Sequence, residues 1–150
     1  MTRIRFVAVL LVAFSCEVKA GIFKFEIHPN DHICFIGNSL AARMSLPGCN
    51  HFEALLHLRF PKHNLVVRNL AWPADEVALR PRAGGFGTPD EQLSFCKADV
   101  VMAFFGFNES FKGPEGLEEF KTDLDAWIVH TQQQNYSGSV LVQREMENST

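Results

Sequence analysis

The chain has 150 residues and a net charge of -3, with 47% hydrophobic and 21% charged residues. That is enough for one domain with a real core, and the composition excludes a disordered chain. The charge balance offers no footprint for a nucleic-acid partner.

The first twenty residues read as a secretory signal peptide. Arg3 and Arg5 precede an apolar run from Phe6 to Phe14, and Val18-Lys19-Ala20 supplies a cleavage site before Gly21. The run is too short to span a bilayer as a stable helix. The competing reading is a buried N-terminal helix. Cleavage would remove Arg3, Arg5 and Lys19 against Glu17, leaving a more acidic mature domain over 21–150. Cys16 would leave with the leader, and Cys34, Cys49 and Cys96 would remain. Their wide spacing fits neither a zinc site nor a dense disulfide framework. Cys34 reads as a buried small hydrophobe. A single disulfide between two of the three is compatible with export, with the pair left open.

Beyond the leader, Phe23, Phe25 and Ile27 alternate with polar residues, so a short extended segment leads in. Asn30-Asp31 makes a turn. Ile33 to Ile36 reads as a central strand that empties into Gly37-Asn38-Ser39-Leu40. Asn50 to Glu53 has the pattern of a capping box, followed by a helix with Phe52, Leu55 and Leu56 on its apolar face and Pro61 at its end. Leu65 to Leu70 is a second strand. Arg80 and Arg82 read as exposed loop charges that could meet an anion. Gly84-Gly85-Phe86-Gly87 has the wrong glycine spacing for a phosphate loop and no Lys-Ser/Thr after it, so it reads as a flexible surface segment.

Thr88-Pro89-Asp90-Glu91 repeats the helix-start signal, with Thr at the N-cap, Pro at the first helical position and Glu at the third. Ala98 to Phe105 is apolar enough for a central parallel strand. Leu117, Phe120, Leu124, Trp127 and Ile128 fall at spacings of three and four, the mark of an amphipathic helix. Ser139 to Val142 begins a fourth strand, and a polar tail runs from Gln143 to Thr150. Alternating strands and helices predict an α/β fold, a three-layer α/β/α sandwich on a mostly parallel, flavodoxin-like sheet. The strand near Val140 to Val142 would then be an open apolar edge.

Three stretches lie just after predicted strands and would meet on one rim: Gly37-Asn38-Ser39-Leu40, Asn69-Leu70-Ala71-Trp72-Pro73-Ala74-Asp75, and Gly106-Phe107-Asn108-Glu109. Together they resemble the SGNH (GDSL-like) hydrolase family over roughly Asp31 to Val142. The first is similar to its Gly-Asp-Ser-Leu block, with Asn38 for Asp. The third is similar to its Gly-x-Asn-Asp block, with Glu109 for Asp. The second matches in position, with Ala74 for the usual glycine. The wording is also similar to exported SGNH-type proteins of planctomycete-like bacteria.

The resemblance implies a serine ester hydrolase. Ser39 would be the nucleophile, and the oxyanion would be held by the backbone N–H of Ser39, the backbone N–H of Ala74 and the side-chain amide of Asn108. The Gly→Ala change keeps the donor but would forbid a strongly positive φ. The substrate would be a small acyl ester, with a carbohydrate acetyl group suggested by the family. No cofactor, metal, nucleic acid or transmembrane span in the mature chain is implied.

The family's base sits in a late Asp-x-x-His block. Three positions before His28, His32, His51, His57, His63 and His130 stand Phe25, Pro29, Gly48, Ala54, Phe60 and Trp127, none of them Asp. The chain thus reads as the N-terminal portion of the family's domain, ending before its last strand and histidine block. A catalytically inactive SGNH-fold fragment or binding remnant is the alternative, and an unrelated flavodoxin-like binding domain is a third reading. Residue by residue, Ser39 also fits a helix N-cap, Asn108 a turn, and Trp72 either a sugar platform or a packed core indole. Glu109 reads as a loop cap rather than a base.

Overall fold

The structure, a computed structural model, describes residues 7–8, 26–81, 85–134 and 139–144. The leader apart from Val7 and Ala8, the lead-in at Phe23 and Phe25, Arg82, Gly84 and the tail from Glu145 lie outside the described residues.

Among the described residues, five strands form one all-parallel sheet: β1 (Val7–Ala8), β2 (His32–Gly37), β3 (Val66–Asn69), β4 (Val100–Phe105) and β5 (Ser139–Arg144), in the spatial order β1-β5-β4-β2-β3. The run β3-β2-β4-β5 is the flavodoxin-like order. β2 is flanked by β3 and β4, with Phe35 opposite both Asn69 and Met102. The helices are α1 (Ser39–Arg43), α2 (His51–Arg59), α3 (Pro89–Phe95) and α4 (Leu117–Gln133).

The strands read as continuous apolar runs because both faces of the sheet are covered. Side chains alternate between faces. Cys34, Ile36, Val101, Ala103 and Phe105 pack with Leu93 of α3 and with Phe120 and Leu124 of α4. Ile33, Phe35, Val100 and Met102 point the other way, onto Ala41 of α1 and Leu56 of α2. This is the three-layer sandwich the sequence predicts.

Local expectations divide. The Thr88 capping box forms: Glu91 N–H donates to the Thr88 hydroxyl at 3.2 Å, and the Glu91 carboxylate accepts the Thr88 N–H at 2.6 Å. The Asn50 box does not form. Asn50 has φ -83 and ψ 25, outside the extended region a capping residue needs, and its side chain makes no cap bond. Leu55 is 62% exposed, so α2 buries Phe52, Leu56 and Phe60, one turn apart, rather than Leu55. β5 continues past Val142 through Gln143 and Arg144, paired with Phe104 and Phe105. Its outer edge is not open as expected: Val7 and Ala8 pair with Leu141 and Val142.

Candidate active site

The carboxyl ends of β2, β3 and β4 bring the three sequence blocks to one rim. β2 ends at Gly37 with φ +124, where a Cβ would lie 2.1 Å from the Phe104 carbonyl oxygen. Only glycine lets the chain turn this close to β4. The turn is fastened on both sides. Asn38 N–H donates to Phe104 O at 3.1 Å, and Trp72 N–H donates to Gly37 O at 2.9 Å.

Asn38, not Ser39, is the N-cap of α1. It is extended (φ -84, ψ -163), and its Oδ1 accepts the Leu40 N–H at 3.0 Å. That oxygen is common to Asp and Asn, so the departure from Gly-Asp-Ser-Leu retains the cap. The Asn38 amide nitrogen is buried and has no partner among the described residues. Ser39 is therefore the first helical residue, half-buried, and its N–H is one of those that no helical carbonyl can reach.

In the second block, Asp75 N–H donates to Trp72 O at 3.2 Å, closing a four-residue turn with Pro73 second and Ala74 third. Ala74 has φ +68. Proline followed by a positive-φ residue is the type II arrangement. The sequence expectation that alanine forbids a positive φ is corrected: Ala74 occupies the conformation that glycine normally serves. Residue Ala74 is exposed, so its Cβ meets no neighbour that would resist.

The third block is joined to the second through a side chain. Asn108 Nδ2 donates to the Asp75 carbonyl at 2.9 Å. An amide nitrogen carries two hydrogens, and this bond uses one. Glu109 is buried. Its carboxylate accepts Val77 N–H at 2.8 Å and Gly106 N–H at 2.9 Å, fastening both loops, in keeping with the loop-cap reading.

Two readings of this region are corrected. The Arg80 side chain is only 14% exposed; it lies 4.0 Å from the buried Asp75 carboxylate, with its guanidinium 4.3 Å above the Phe105 ring. Trp72 is half-exposed rather than packed in the core, and its ring lies 6.4 Å from that of Phe86. Between them, Asp75, Arg80, Ile36, Leu70 and Gln92 line a cavity of about 250 Å³ on the α3 side of the sheet. Sequence reasoning missed this Asp75–Arg80 pair because the two meet only through the path of the β3–α3 connection.

Most of the histidines are engaged elsewhere. His32 is at the opposite end of β2, roughly 20 Å from Ser39 by strand rise, and its Nδ1 lies 2.8 Å from Cys96 O. His57 is 3.9 Å from Glu53, the His63 ring lies tilted against Phe60, and His130 Nε2 is 2.7 Å from Asp90 Oδ2. Among the described residues none hydrogen-bonds Ser39, and no three His, Cys, Asp or Glu residues are grouped to hold a metal. Among the same residues, no helix is long and apolar enough to cross a membrane.

No protein-family model and no curated protein sequence matches the chain. Solved structures do. A GDSL-like lipase candidate of Parabacteroides merdae superposes with a TM-score of 0.63 at 18% identity, covering 79% of this chain and 61% of that one. A catalytic mutant of an acetylxylan esterase from Geobacillus stearothermophilus gives 0.59 at 18%, covering 78% and 61%. The psychrotrophic esterase EstA of Pseudoalteromonas, inhibited by monoethylphosphonate, gives 0.53 at 18%, covering 76% and 62%. The chain thus spans about three fifths of the length of the structures it matches. With its parallel sheet, strand order and layers, it has the fold of the SGNH/GDSL-like hydrolases.

Proposed function

We propose that the rim formed by Ser39, Ala74 and Asn108 is the site of an SGNH-type ester hydrolase, with Ser39 as nucleophile. The substrate is a small acyl ester, of which an acetyl group on a carbohydrate is the favoured case. The protein acts after export, the first twenty residues serving as a leader whose removal takes β1 with it and bares the outer edge of β5. The observation that carries this reading is the Asn108 side chain. It is tied to the Asp75 carbonyl beside Ala74, while the turn that precedes Ser39 is bonded to Trp72 of that same loop and to Phe104 near the end of β4. A serine at a helix start, flanked by a positive-φ turn and a fixed amide, has the parts that hold a tetrahedral oxyanion. The acetylxylan esterase among the fold neighbours supports the acyl-ester class.

Attack by Ser39 Oγ on the ester carbonyl forms the acyl-enzyme and expels the alcohol; water then releases the acid. Both steps need a group to take and return a proton. No described histidine reaches Ser39, which favours the second reading, a binding remnant or inactive SGNH-fold chain.

Hydrolysis of a short-chain acyl ester by the full chain tests both. The expected result is slow turnover, at the level an oxyanion site gives without its base, ~10³ over water. Asn108→Ala should lower it by about 10². A rate untouched by Asn108→Ala removes the oxyanion assignment. A full esterase rate abolished by Ser39→Ala overturns the inactive reading and requires a base.

A further inference from the structure

We infer that Cys34 and Cys96 form a disulfide that ties the central strand β2 to the end of α3, without any dependence on the proposed activity. Side chains two apart on a strand share a face. His32 and Cys34 are such a pair, and both reach Cys96. The His32 ring meets the Cys96 carbonyl, and the Cys34 thiol neighbours the Cys96 thiol, both of them free in this structure. Cys96 packs against the core cluster that contains Cys34.

The backbones on both sides are already fixed. Asp99 N–H donates to His32 O and His32 N–H donates to the Asp99 carboxylate, each at 2.9 Å, while Cys96 closes α3 by donating to Gln92 O at 3.0 Å. Cys49, the other described cysteine, is exposed and is not part of this cluster.

The chemistry is an exchange with a small-molecule disulfide such as oxidised glutathione. The half-buried Cys96, as thiolate, attacks one glutathione sulfur; that S–S bond breaks and one glutathione leaves. Cys34 then loses its proton to solvent and attacks the Cys96 sulfur, expelling the second glutathione. Two protein thiols are oxidised and one glutathione disulfide is reduced to two thiols. Burial and the neighbouring Cys96 push the Cys34 thiol up to about 12, so the reduced pair gains no stability from a thiolate. Capping Cys96 in the first step removes the part of that barrier Cys96 imposes. A pair whose reduced form is not stabilised makes a disulfide that resists reduction. The one premise taken from the proposed function is export, which brings the chain to such oxidants.

The test uses the purified full chain in oxidised glutathione, followed by alkylation and peptide mass spectrometry. The expected product links the Cys34 and Cys96 peptides with loss of two hydrogens, and Cys16→Ser and Cys49→Ser leave it unchanged. The bond closes a loop of roughly 60 residues, so oxidation should raise the melting temperature of the wild type by about 10 °C and not that of Cys96→Ala. Cys96 trapped as its glutathione adduct, a crosslink through Cys49 or Cys16, or a melting temperature unmoved by oxidation each overturns the inference.

Discussion

Ala74→Gly should stabilise the protein, against the usual direction of a change to glycine. Ala74 sits at φ +68, in the left-handed region that costs an L-residue roughly 1–2 kcal/mol. Glycine adopts it freely, so the folded state gains that amount. The unfolded chain gains too, because glycine has more conformations to lose, and this offsets roughly 0.4–1 kcal/mol. Ala74 is exposed, so removing its methyl group sacrifices little buried contact. The balance is about 0.8 kcal/mol in favour of glycine, equivalent to a rise of about 2–3 °C in melting temperature for a domain of this size. Paired urea titrations of wild type and Ala74→Gly, with equal slopes, provide the measurement. A lower midpoint for the glycine variant would refute the reasoning, because it would mean that the turn carries no left-handed strain at Ala74.

Three further outcomes follow from the same geometry. Gly37→Ala should abolish folding or cost more than about 4 kcal/mol, since its Cβ would lie 2.1 Å from a backbone oxygen of β4; a soluble variant with wild-type circular dichroism and melting would contradict this. Glu109→Gln should cost about 2 kcal/mol in urea unfolding, because an amide can accept only one of the two backbone N–H groups that the carboxylate holds. Cys34 gives a pH signature. Its thiol is raised from 9.0 to about 12 in the fold, so the stability it confers is complete below the unfolded value of 9.0 and is lost as pH rises toward 12. In reducing buffer, the wild type should therefore lose about 1.4 kcal/mol more than Cys34→Ala between pH 8 and pH 10.

The sheet was legible because its signal is local. Ile33 to Ile36 and Ala98 to Phe105 are apolar on both faces, which is what a strand between two helical layers requires. The Thr88 helix start was legible for the same reason: all its partners lie within one turn. The Asn50 box has the same letters, but the turns leading out of α1 set the Asn50 backbone outside the capping region. Leu55 fits an apolar face on spacing alone, and only the position of the sheet decides that Leu56 is the residue covered. The three blocks of the candidate site could be ordered along a rim from strand positions. The bonds that hold them could not, because Asn108 to Asp75 and Glu109 to Val77 join residues far apart in the chain. Arg80 shows the same limit. Beside Gly85 and Gly87 it reads as a loop charge, and its place over Phe105 depends on contacts that sequence spacing does not encode.

The Glu109 carboxylate also changes the polymer physics of the long connection between β3 and α3. The segment between Asn69 and Pro89 would otherwise be one loop closed only at its ends, and its closure entropy would grow with its full length. Glu109 seizes it at Val77 and so divides it into two unequal arches. The first arch carries the Trp72–Asp75 turn and is short enough to keep a single shape. The second starts from that anchorage and is held again at Arg80, over the Phe105 ring and beside Asp75. Along the chain, a change beyond Arg80 therefore meets two successive anchorages before it reaches the turn at Ala74.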